Sequence, residues 1–248
     1  MSKPLPDDLP LRATRPLLPD GAVRAARAAS AGTATDFRSL LASGLAESRL
    51  DPHAHNRRSS ATGAFQFTER TWLDLVRRHG AELGRGDLAK AVAAGPHGPA
   101  VADAPTRQAI LALRSDTPFA AALAARYFDE NRASLMHSLH RRPSENEVRM
   151  AFLLGASGAA RLIKAARDHP GLAADRIVPA AVHSNPGLFR EHGGRVKTAQ
   201  AAVTALNHHF TAVQRRVDAA VAHKVSALDP GSLPAGAAAA DLVPVDEG

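Results

Sequence analysis

Glu47 is the side chain in this sequence best placed for proton transfer. It stands near the C-terminal end of an apolar segment, directly before Ser48, and a stop follows at Asp51-Pro52. A carboxyl group in that position can face a cleft instead of a neighbouring helix. If apolar groups wall it off, the charged form loses hydration and the group stays protonated near neutral pH, as a general acid must. Leu45, Phe65 and Phe67 are candidates for the wall. Nineteen positions on, Gln66 supplies an amide that both donates and accepts. Between them lie the small residues Ala61-Thr62-Gly63 and the hydroxyls of Ser59, Ser60 and Thr62, which suit sugar recognition. A glutamate at a helix end is ordinarily a solvated charge. The helix stop, the distant amide and the hydroxyl-rich loop together argue for chemistry here.

The elements that must hold these groups are helical. Thr35-Asp36 offers an N-cap, and Phe37, Leu40, Leu41 and Leu45 fall three and four apart to make one apolar face. Pro52 disfavours helix at Asp51 and closes the element, with Asp51 capping the turn. Thr68 caps a second helix through Trp72, Leu73, Leu75 and Val76 to Gly80, with Trp72 expected in the core. An Ala/Arg-rich helix precedes these at 21–30. After them a short helix from Asp87 breaks at Gly95-Pro96-His97-Gly98-Pro99, and another spans 105–114. Thr117-Pro118 reads as an N-cap and N1 proline opening a long helix through Tyr127 and Asn131 to about Arg141. Ser144 to Glu147 forms a capping box before an apolar helix ending at Gly155, and further helices cover 158–168 and 198–225. The expectation is an all-α fold of eight or more helices, with a folded region over 23–226. Disordered segments are expected at 1–22 and, rich in Pro, Gly and Ala, at 227–248.

Composition narrows the alternatives. The 248 residues are 45% hydrophobic but only 4% aromatic, and alanine carries much of the apolar share, which favours closely packed helices. There is no cysteine, so neither disulfides nor thiolate metal sites enter. The net charge of +7 fits either a solubilising surface or attraction to a polyanion, nucleic acid or carboxylate-bearing cell wall. Aromatic residues interleaved with the basic ones are missing, which weighs against single-stranded nucleic acid. His53, His55 and the pair His208-His209 lack the i,i+4 spacing with a nearby acid that zinc proteases use, so no metal and no cofactor are expected. No apolar run reaches the length that spans a membrane. The first twenty residues hold prolines and acids where a secretory signal needs an apolar stretch.

Glu47-Ser48, Pro52, Ser60 to Gly63, Gln66-Phe67 and Thr71-Trp72 resemble the lytic transglycosylase domain of bacterial peptidoglycan enzymes, which has a lysozyme-like fold. The resemblance is nearest to a branch with the pattern A-T-G-x-x-Q-F-x-x-x-T-W. It extends to Leu154-Gly155-x-x-Gly158-Ala159-Ala160 and to Pro179-Ala180-Ala181 with Asn185 and Phe189, covering roughly residues 25 to 207. It implies cleavage of the β-1,4 bond between N-acetylmuramic acid and N-acetylglucosamine in peptidoglycan glycan strands. Most glycosidases use two carboxylates. The resemblance implies one, Glu47, acting first as acid and then as base while a 1,6-anhydro ring closes. It implies contacts to substrate from Ser48, Asn56, Gln66, Phe67, Tyr127 and Asn131. From the residues alone, Ser48 either orients the carboxylate or back-bonds to its own helix. Gln66 either meets the acetamido group or holds the loop, and Tyr127 either lines a cleft or packs in the core.

The sequence departs from the family in two places. Gly-Leu-x-Gln is here Gly63-Ala64-Phe65-Gln66, and Ala151 to Gly155 lacks the tyrosine and asparagine many relatives carry, with Phe152 where branch members tend to have histidine. This leaves open a weakened or altered enzyme; a hydrolytic muramidase on the same fold is a close variant of the reading. The departures also leave open a non-catalytic module that binds cell wall within a secretion, flagellar or phage-tail assembly. Location in the periplasm or cell wall is implied by the resemblance alone.

Overall fold

The computed structural model describes residues 17–57 and 59–228, with side chains up to 224. It is an all-α structure. In chain order the helices are α1 (Asp20–Ser30), α2 (Phe37–Ser48), α3 (Glu69–His79), α4 (Gly86–Ala91), α5 (Ala104–Ala112), α6 (Thr117–Leu139), α7 (Glu145–Leu154), α8 (Ala156–Asp168), α9 (Pro179–Ser184), α10 (Pro186–Phe189) and α11 (Ala199–Leu228). Of the segments expected to be disordered, 1–22 and 227–248, residues 1–16 and 229–248 lie outside the described residues, whereas 20–22 open α1, with Leu18 and Ala22 buried, and 227–228 close α11.

Side-chain caps fix where most of these helices begin. Asp36 accepts from Arg38 N (2.7 Å), Thr68 from Thr71 N (3.3 Å) and Asp103 from Thr106 N (2.8 Å). Ser144 and Glu147 satisfy each other's backbone N–H groups, the reciprocal box expected from their spacing. One start differs from the sequence reading: α6 is capped by Asp116, which accepts from Phe119 N at 3.1 Å, so Thr117 is already helical. Aspartate ranks above threonine as an N-cap, which explains the one-residue displacement.

The core forms two clusters of buried side chains. The first joins α1, α2, α3 and the first half of α6, including Leu40, Leu41, Phe65, Phe67, Trp72 and Phe128. The second joins α8, the 174–189 region and the start of α11 around Leu135, Met150, Leu162 and Phe189. Two long helices tie them together. α6 has 23 residues, about 35 Å at 1.5 Å per residue, and places Leu123 in one cluster and Leu135 in the other. α11 does the same with Val217 and Leu206. Where α1 crosses α6 the buried residues are largely alanines: Ala22, Ala25 and Ala26 on one side, Ala120, Ala121, Ala124 and Ala125 on the other. Without large side chains between them, the two backbones approach closely.

The break after α4 is a two-stranded antiparallel hairpin, β1 (Ala93–Gly95) with β2 (Gly98–Ala100), joined through Pro96-His97. No β-branched or aromatic residue marks these strands, so the sequence showed only the helix break.

Candidate functional site

The final turn of α2 sets the position of Glu47. The helix ends because Arg49 and Leu50 both adopt left-handed backbone, each with φ of 59°, before Pro52 is reached. Leu50 N donates to Gly44 O at 3.0 Å and Arg49 N to Leu45 O at 3.0 Å, satisfying carbonyls that the helix end leaves open. Leu50 folds back over the helix, and a Cβ on Gly44 would lie 2.5 Å from Leu50 Cδ2. Glycine at 44 therefore permits the stop that leaves Glu47 in the last turn.

Ser48 connects this turn to the following loop. Its Oγ donates to Ala64 O at 2.8 Å and accepts from Asp51 N at 3.0 Å. Of the two roles open to it, the hydroxyl is committed to backbone, bonding chiefly across to the 63–66 turn. Asp51 Oδ1 accepts from His53 N at 3.0 Å, the turn-capping role expected of it. The loop then doubles back in a small ladder, with isolated bridges pairing His55 to Thr62 and Thr62 to Phe67.

Gln66 locks that ladder. It sits at φ 49°, and its Nε2 donates to Ala54 O (3.2 Å) and Gly63 O (2.9 Å). Both amide protons are thus spent on backbone carbonyls, and the amide oxygen is left as the acceptor. Gly63, at φ 84°, passes so close to the α5–α6 connection that a Cβ there would lie 2.1 Å from Arg114 O. Arg114 is itself buried, and its Nη1 donates to Ser60 O at 2.6 Å. Nothing in the spacing around Arg114 marks it as a loop anchor, and sequence reasoning missed it. The tight approach at Gly63 is foreshadowed by the glycine itself.

Glu47 keeps part of its surface open to solvent, yet protein atoms crowd its carboxyl. Burial pushes its pKa from 4.5 up to about 7. No charge or hydrogen bond offsets the rise, and no ion pair holds the carboxyl among the described residues. Leu45, Phe65 and Phe67, expected as its apolar surroundings, are all buried in the same cluster.

The remaining candidates do not gather at one surface. Asn56 is exposed on the loop, its backbone N–H bonded to Ala61 O at 3.0 Å. Phe67 is only 4% exposed and belongs to a group of rings, 5.7 Å from Trp72, 5.5 Å from Phe152 and 6.2 Å from Tyr127. An aromatic ring enclosed in this way contributes packing to the core. Asn131 is likewise buried, and its Nδ2 has no hydrogen-bond partner among the described residues. Tyr127 is half-buried between Phe67 and Phe152 and also lines a polar cleft on α3. Trp72 is fully buried, its Nε1 donating to Ile110 O at 2.7 Å, as its expected core role requires. No group of three His, Asp or Glu side chains comes together as a metal cage among the described residues. No helix there is long and apolar enough to cross a membrane.

No family model matches the chain.

Proposed function

We propose that this protein is a peptidoglycan lytic transglycosylase with a lysozyme-like arrangement of helices, in which Glu47 is the single general acid and base. One observation carries the reading. A glutamate in the last turn of a rigid helix has its pKa raised to about 7 by desolvation alone, beside a turn whose glutamine amide is locked in place. A carboxyl serving only as a surface charge would not be held this way.

The steps balance without water. The Glu47 carboxyl gives its proton to the glycosidic oxygen as the bond from muramic C1 breaks. The acetamido group of the same sugar supports the cationic centre. The C6 hydroxyl then bonds to C1, and its proton returns to the Glu47 carboxylate, leaving the carboxyl as it began. The oxygen of Gln66, free of backbone bonds, is suited to accept from the acetamido N–H. Ser48 acts as a positioning residue that holds the end of α2 against the 63–66 turn.

A second reading has its own support. Phe152 stacks on Phe128 at 4.9 Å and meets Tyr127 at 5.4 Å, so this part of α7 brings an apolar ring where a polar group would serve catalysis. That favours a non-catalytic cell-wall-binding module of a secretion, flagellar or phage-tail assembly. Clearing of a turbid suspension of isolated cell walls separates the two. The enzyme clears it and Glu47→Gln does not, whereas a binding module sediments with the walls and clears nothing.

A further inference from the structure

Apart from Glu47 and its loop, a cleft of about 370 Å³ opens between α3, the β1–β2 hairpin and Tyr127 of α6. Three guanidinium groups line it, and each is held. Arg70 Nη1 donates to His97 O at 3.1 Å, and the same guanidinium lies across Gly98, where a Cβ would sit 3.2 Å from Arg70 Cζ. Glycine at 98 therefore allows the side chain to rest on the hairpin. Arg77 and Arg78 are set by the two oxygens of Asp74, at 2.9 and 3.0 Å. Arg78 also pairs with Glu130.

The donors outnumber the acceptors. Arg77 Nε is buried and without a partner, and Arg70 has no carboxylate partner among the described residues. A buried donor left unpaired is costly, and the guanidinium that carries it lines the cleft, where an acceptor from outside can engage its exposed part. Holding arginine in advance also reduces the side-chain entropy lost on binding.

We infer that this cleft is a binding site for a ligand bearing a single carboxylate, held by Arg70 and Arg77 against the backbone of the hairpin. Charge selects the class. Three guanidiniums against the carboxylates of Asp74 and Glu130 leave one net positive charge. That matches one carboxylate better than a phosphate monoester, whose charge approaches −2. The cleft volume suits a small acidic group, such as an amino-acid side chain of a peptide. The inference stands whether or not Glu47 is catalytic.

The test is titration of the full chain, followed by amide NMR, with N-acetylglutamate α-amide and its neutral isostere N-acetylglutamine α-amide. Inorganic phosphate forms a third arm. The acid is expected to shift the amides of Gly95, Gly98 and Tyr127, and the neutral isostere to leave them in place. Arg70→Gln, at an exposed position whose change spares the core, is expected to weaken binding of the acid about tenfold, the loss of one charge-assisted pair. Arg77→Gln is expected to do the same, with circular dichroism confirming that both variants fold. Equal shifts from acid and isostere, unchanged affinity in both variants, or tighter binding of phosphate than of the carboxylate would each overturn the assignment.

Discussion

Replacing Glu47 by Gln is expected to change stability in a manner that depends on pH, and the size of the effect follows from the site. The unfolded chain titrates this carboxyl near 4.5, and the folded protein near 7. Between those values the folded state binds the proton more tightly, so the contribution of Glu47 to stability is fully present below 4.5 and is lost as pH rises through about 7. At 1.36 kcal/mol per pH unit the upper limit is about 3.4 kcal/mol. Because the side chain keeps some contact with water, an effect of about 2 kcal/mol is the sounder figure. Glutamine has the same shape and never ionises. Glu47→Gln should therefore match or slightly trail the native protein at pH 4 and exceed it by roughly 2 kcal/mol at pH 8. Urea unfolding at both pH values reads this directly, given equal slopes for the two proteins. A stability difference that stays constant from pH 4 to pH 8 would refute the claim that desolvation holds this carboxyl protonated, whatever the enzyme assay shows.

Other consequences follow from the same geometry. Cell-wall cleavage should be steady below pH 7 and fall about tenfold per pH unit above it, because only the protonated Glu47 can act as acid; a pH–rate profile checks this. Gly63→Ala should cost about 3 kcal/mol or more, since the added Cβ meets a backbone oxygen at 2.1 Å and the positive φ adds strain, and calorimetry would register it as a large drop in Tm. Ser48→Ala should lose about 1–2 kcal/mol in denaturant unfolding, because the Ala64 carbonyl and the Asp51 N–H lose their shared partner.

The helices were legible because their signals are local. The apolar spacing of α2, the Thr68 cap and the box at Ser144 each specify a boundary from a few adjacent residues. The position of Glu47 was legible for a related reason, since a helix end followed by a polar loop fixes where its carboxyl sits. What stayed hidden depends on partners distant in the chain. Arg114 meets Ser60 across 54 residues, and Ser48 chooses Ala64 over its own helix only because the loop folds back. Phe67 and Asn131 are expected at the substrate through the resemblance, and the structure buries both, Phe67 within the ring cluster with Tyr127 and Phe152. The hairpin at 93–100 carries no β-branched residue and owes its form to Gly95, Gly98 and the packing of Arg70 across it.

Mass analysis of the fragments released from purified peptidoglycan tests the account at its centre. The native protein should yield muropeptides lighter by one water than hydrolysis products, and Glu47→Gln, folded and at least as stable at pH 8, should release them on the order of 10²–10⁴ times more slowly. Anhydro products appearing at the native rate from Glu47→Gln would contradict it.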